Sequence, residues 1–80
     1  MNMEVKVFST PTCPYCRQLK EFLNSNKVNF TDVDVSKDTK AREYVVEKTN
    51  QMGVPVLEAD GKFVVGFDRE KVAKLLKIKL

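Results

Sequence analysis

Thr12-Cys13-Pro14-Tyr15-Cys16 is the stretch on which the reading of this chain turns. It holds both cysteines of the protein, with two residues between them. An apolar, β-branched run precedes it (Val5, Val7, Phe8), and a run with helical spacing follows it (Cys16, Leu19, Leu23). A strand therefore hands over to a helix here, and Cys13 falls in the helix's first turn. Pro14 takes the first helical position or one near it, where its missing N–H is no loss. The first N–H groups of a helix lack intrahelical partners and carry the positive end of the macrodipole. A thiolate at that place is stabilised and becomes a nucleophile at neutral pH. Cys16 lies one turn further in, on the stripe with Leu19 and Leu23, and is placed to resolve whatever Cys13 forms.

Composition narrows the rest. Eighty residues make one domain, residues 1–80, with a modest core. A 42% hydrophobic and 31% charged content describes a globular chain, not a disordered one. No apolar run approaches the roughly 18 residues of a membrane span. Met1 to Glu4 carry neither the basic nor the apolar region of a secretory signal. The expectation is a cytoplasmic protein, where a reactive cysteine pair is a better reading than a structural disulfide. Fourteen basic against eleven acidic residues give a net charge of +3, an ordinary mixed surface. The lysines between Lys71 and Lys79 surround apolar positions of an amphipathic helix, so no nucleic-acid partner and no membrane are expected. The absence of histidine removes a His general base, a Cys/His protease arrangement and a mixed Cys/His metal site. Two thiolates fall short of the four ligands of structural zinc, so no metal is expected within one chain.

Glu4 to Ser9 reads as the first strand, and the helix after Pro14 runs to about Asn26 with Leu19, Phe22 and Leu23 buried and Arg17, Lys20 and Glu21 outward. Val28 to Val35 is a second strand with a phase change around Thr31-Asp32, either a bulge or a late start. Ser36 is the expected N-cap of the next helix, with Asp38 in its acidic first turn and Ala41, Tyr44 and Val45 as its stripe. Gln51-Met52-Gly53 is a loop. Val54-Pro55-Val56-Leu57 starts a strand, because proline cannot donate to a central ladder. Asp60-Gly61 is a hairpin turn into Phe63-Val64-Val65. Gly66-Phe67-Asp68 ends that strand, and Asp68 can cap a last helix bearing Val72, Leu75, Leu76 and Leu80. The order β-α-β-α-β-β-α makes an α/β domain. Its first two strands are parallel through a right-handed crossover, the last two form a hairpin, and helices cover both faces of one mixed sheet.

Cys13-Pro14-Tyr15-Cys16 after a strand, Val54-Pro55 before a hairpin and Gly66-Phe67-Asp68 before the last helix together resemble a glutaredoxin, in particular the small bacterial glutaredoxin-like redoxins. The resemblance covers essentially the whole chain. It implies the thioredoxin fold, a four-stranded sheet of order 2-1-3-4 and three helices. It also implies a cis Val54–Pro55 bond packed beside Cys13, presenting the Val54 backbone to an extended thiol substrate. The implied activity is dithiol oxidoreduction. Cys13 attacks a disulfide or a glutathione mixed disulfide, and Cys16 resolves the product. Tyr15, Val54, Pro55, Gly66, Phe67 and Asp68 are the implied substrate- or glutathione-binding residues, and Thr10, Thr12 and Arg17 are second-tier candidates. No bound cofactor is implied. Glutathione is the implied co-substrate, and a monomer serves disulfide-bearing proteins and a glutathione- or thioredoxin-linked reductase.

Plainer roles stand beside these. Tyr15 contacts substrate or only shields Cys13, and Gly66-Phe67-Asp68 binds the γ-glutamyl end of glutathione or only makes a turn and a cap. The chain also departs from the family pattern. Many glutaredoxins carry lysine where Thr10 stands, a second glycine where Val65 stands, and an acid where Arg69 stands. These changes weaken the glutathione expectation and leave the dithiol one intact. Lys37, Lys40 or Arg42 supplies the missing cation or is plain surface charge. Two alternatives follow. One is a redoxin reduced by thioredoxin reductase, as in those serving ribonucleotide reductase, although the Trp-containing C-terminal segment of that group is missing. The other is a non-enzymatic iron–sulfur carrier built by two chains.

Overall fold

The computed structural model describes residues 4–51 and 53–79. Its elements are β1 (Val5–Ser9), α1 (Pro14–Ser25), β2 (Thr31–Asp34), α2 (Thr39–Thr49), β3 (Val56–Ala59), β4 (Lys62–Val65) and α3 (Arg69–Leu76). The expected order of elements is observed, and the strands form one sheet in the order β2-β1-β3-β4. β1 runs parallel to β2 and antiparallel to β3, and β3 pairs antiparallel with β4.

Alternation along β1 divides the interior in two. Val5 and Val7 join Leu57, Ala59 and Val64 of the neighbouring strands beneath Leu19 and Leu23 of α1 and Val72 of α3. Phe8 turns to the other face, where it meets Val56, Val35 and Val45 of α2. Leu19, Leu23 and Leu57 are fully buried. Each such leucine contributes about 1.5–3 kcal/mol by leaving water. In α3 the buried positions are Val72 and Ala73, with Leu75 and Leu76 half-buried. Leu80, the expected end of that stripe, and Met52 of the expected 51–53 loop lie outside the described residues.

The second strand is shorter than its apolar run. The expectation was Val28 to Val35, but the ladder with β1 begins only at the Lys6–Thr31 pair. The Val28 amide is already committed to the end of α1, donating to the Leu23 carbonyl at 2.9 Å. Val28 and Phe30 pack into the α1-side core before the ladder starts. No bulge is involved: the register is continuous, and Val33 and Val35 simply serve the opposite face.

The start of α2 also differs. Ser36 is not its cap, because Asp34 accepts the Ser36 N–H at 2.9 Å and the Ser36 hydroxyl as well. Those bonds hold the Asp34 carboxyl below its ordinary pKa. The turn closes there, and Asp38 becomes the cap, accepting the Ala41 N–H at 3.0 Å. The hairpin turn holds as read: Asp60 (φ 53°) and Gly61 (φ 73°) are both left-handed, as a two-residue turn of matching twist requires.

One polar contact on the α2 side was not visible in the sequence. The Tyr44 hydroxyl donates to Glu58 Oε2 at 2.6 Å. That bond, followed by burial, pushes the phenol up to about 12. The other carboxylate oxygen, Oε1, is buried with no partner among the described residues.

Candidate active site

Three backbone segments meet around Cys13. The β1–α1 turn is closed by the Cys13 N–H donating to the Thr10 carbonyl at 3.4 Å. Cys13 is the N-cap of α1, and Pro14 takes the first helical position. The Cys13 sulfur accepts the Cys16 N–H at 3.2 Å, and its own thiol points at the Val54 carbonyl at 3.8 Å. Thus a sulfur fills the acceptor place that an oxygen commonly fills at a helix start. The Val54–Pro55 peptide is cis. Pro55 is buried, and its carbonyl accepts the Gly66 N–H at 2.8 Å, which ties the end of β4 to the same spot. Gly66 has φ 82°, a left-handed value that a side chain would strain.

The two sulfurs differ in surroundings. Cys13 is half-exposed and Cys16 is buried, and neither is in a disulfide. Burial is the main reason that the Cys16 thiol is pushed up to about 11, with its hydrogen bond to Cys13 adding to the rise. A backbone hydrogen bond from Thr10 and the charge of Lys20 oppose it.

The remaining candidates divide. Tyr15 and Val65 are exposed apolar residues, and both stand near this cluster, one beside Cys13 in the chain and one beside Gly66. Thr12 and Arg17 are exposed, and Thr10 takes part through its backbone. Phe67 is turned inward: its ring meets Phe22 edge-on at 6.0 Å in the α1-side core. Arg69 lies over that same Phe22 ring at 5.6 Å, near the far end of α1 from Cys13. Asp68 caps α3, its Oδ1 accepting the Lys71 N–H at 3.1 Å. Asp68→Ala is therefore expected to destabilise the fold by about 1 kcal/mol, read as a lower denaturant midpoint at unchanged slope.

A polar chain under α1 escaped the sequence reading. Lys20, expected to point outward, donates from Nζ to Asp32 Oδ2 at 2.7 Å, and the buried Ser9 hydroxyl donates to Asp32 Oδ1 at 2.7 Å. The available signal was an inward-facing serine on β1 beside a lysine one turn beyond Cys16.

The Glutaredoxin family model matches residues 5–64, most of the chain. This chain belongs to the glutaredoxin family. A glutaredoxin-like protein of 8.6 kDa from the rubredoxin operon of Clostridium pasteurianum is 44% identical to this glutaredoxin over 73 residues, which span 91% of this chain and 97% of that one. The fold of the present chain matches the crystal structure of a mutant of the thioredoxin-like protein BC3987 with a TM-score of 0.90 at 37% identity, covering 95% of this chain and 97% of that one. The glutaredoxin grx-1 of Archaeoglobus fulgidus follows at 0.86 and 30%, covering 92% and 86%. The sheet order and three helices are those of the thioredoxin fold. Among the described residues no helix is long and apolar enough to cross a membrane, and no three metal-binding side chains cluster.

Proposed function

We propose that this glutaredoxin is a dithiol thiol–disulfide oxidoreductase of the cytoplasm, working as a monomer without a bound cofactor. The observation that carries the reading is the unequal pair at the start of α1. Cys13 is half-exposed, with its sulfur at the helix cap, and Cys16 is buried one turn behind it. The Cys13 thiolate attacks one sulfur of a substrate disulfide. The substrate S–S bond breaks, a mixed disulfide forms on Cys13, and the other substrate sulfur leaves as thiolate. Cys16, as thiolate, then attacks the Cys13 sulfur. The second substrate sulfur leaves and a Cys13–Cys16 disulfide remains, having passed two electrons to the substrate. An external dithiol or two glutathione molecules restore the pair.

Tyr15, Val54, Pro55 and Gly66 form the docking rim, Val54 through its backbone. An extended peptide beside Val54 would gain main-chain hydrogen bonds of the kind a strand makes when it joins a sheet edge. Asp68 and the Phe67 backbone are the candidates for holding the γ-glutamyl end of glutathione.

A second reading, reduction by thioredoxin reductase, is favoured by a specific observation. The Asp68 oxygen is engaged at the helix cap, Arg69 is drawn off to Phe22, and Tyr15 and Val65 beside the site are exposed apolar residues. Such a rim suits a protein partner better than a small peptide that carries two carboxylates and an ammonium. Turnover of a low-molecular-weight mixed disulfide with two regenerating systems separates the readings. One is glutathione with its reductase, the other thioredoxin reductase with NADPH. Activity with glutathione alone assigns the first reading, and activity with thioredoxin reductase alone assigns the second. Turnover with neither system or with any other dithiol reductant would overturn both.

A further inference from the structure

The resolving step poses a charge problem that the site around Cys13 does not solve. Cys16 is buried, and its thiol must lose a proton before it can attack. Its proton goes to solvent, since the chain has no histidine to receive it. In the mixed disulfide the Cys13 sulfur is bonded and uncharged, so its hindrance of Cys16 as a neighbouring thiol or thiolate is gone. Of the influences that favour a Cys16 thiolate, the Thr10 backbone bond and the Lys20 ammonium remain.

We infer that Lys20, anchored to the sheet by Asp32, is a positioning charge that lets Cys16 ionise for the resolving attack. This role rests on the dithiol reading. Lys20 follows Cys16 by one helical turn, so both side chains lie along the same stripe of α1. A lysine on a helix surface ordinarily extends into water. Here its side chain is only 25% exposed because Nζ is held at 2.7 Å from Asp32 Oδ2. Asp32 is itself fixed by the Ser9 hydroxyl on its other oxygen. Ser9 is buried on β1 and the Asp32 side chain is 48% exposed on the edge strand β2, so the ammonium is held against the sheet edge. The Lys20 charge favours the Cys16 thiolate. On that face the competing charge is Asp32, which β2 places beside Val7. β1 presents Val5, Val7 and Ser9, and β3 presents Leu57 and Ala59. Cys13 is the remaining titratable neighbour.

The test separates the two thiols in time. Reduced protein is mixed with an equimolar chromophoric bis(nitrobenzoate) disulfide in a stopped-flow cell. Attack by Cys13 releases one nitrothiolate. Attack by Cys16 on the resulting mixed disulfide releases the second in a unimolecular phase. In Lys20→Met the second phase is expected to slow roughly three- to tenfold near neutral pH, and its pH midpoint to move upward by the matching half to one unit. The first phase keeps its amplitude and its pH profile. Lys20→Arg, which retains the charge and a donor for Asp32, restores the second phase. An unmoved midpoint in Lys20→Met would overturn the role, as would a slowed second phase that arginine does not restore. The latter marks lost packing, not lost charge. Wild-type protein that releases one nitrothiolate and stops would overturn the dithiol reading itself.

Discussion

Cys13→Ser is expected to reduce thiol–disulfide exchange to the uncatalysed background with every reductant, while the protein stays folded. A serine hydroxyl is not ionised near neutral pH, so the proposed attacking group is absent. Cys16 does not take its place, because burial raises its thiol and keeps it away from substrate. The fold supplies its own control. Position 13 is the N-cap of α1, where the sulfur now accepts the Cys16 N–H. Serine is among the favoured residues there, so the variant should differ from the parent by no more than about 0.5 kcal/mol. Inactivity at an unchanged denaturation midpoint is thus the expected pair of results. Retained turnover in this variant would sink the assignment of Cys13 as attacker.

Cys16→Ser is expected to split the activity in two. The first attack survives, since Cys13 keeps its cap position and its place beside the Val54 carbonyl. The mixed disulfide then has no internal resolver. Multiple turnover of protein disulfides should stop, and a covalent adduct on Cys13 should accumulate at the mass of protein plus substrate. Glutathione mixed disulfides should still turn over where free glutathione attacks the adduct from outside. A serine in this apolar place leaves a buried hydroxyl, with a destabilisation of about 1–3 kcal/mol. Cys16→Ala avoids that and should show the same split. Undiminished turnover of protein disulfides in both variants would remove Cys16 from the mechanism.

Most of the fold was readable because the decisive residues act locally. Pro14, Asp60-Gly61 and Asp68 set a helix start, a hairpin turn and a cap through their own backbone preferences, and the structure uses each of them so. The misplaced boundaries arise where two local signals compete. Val28 reads as strand by type, yet its amide completes the end of α1. Ser36 reads as a cap, yet Asp34 captures it first and leaves the helix to Asp38. The site was legible in its parts and less so in its directions. Nothing in Gly66-Phe67-Asp68-Arg69 says that both Phe67 and Arg69 will settle on Phe22, a residue of another helix. The Lys20–Asp32–Ser9 chain draws one member from each of three elements. Such a contact follows from tertiary packing and has no periodicity of its own.

The sulfur at the head of α1 ties two equilibria together. The same atom terminates a helix and, in the proposed chemistry, changes oxidation state. Unfolding and oxidation then form the sides of one thermodynamic square. Whatever the folded chain gains by keeping that sulfur reduced must reappear as easier reduction of its disulfide, relative to the same two cysteines in an unstructured peptide. The melting difference between the dithiol and disulfide forms is therefore a voltmeter. Substitutions in the first turn of α1 that leave both thiols in place would tune the driving force of the reaction through the stability of a single helical turn.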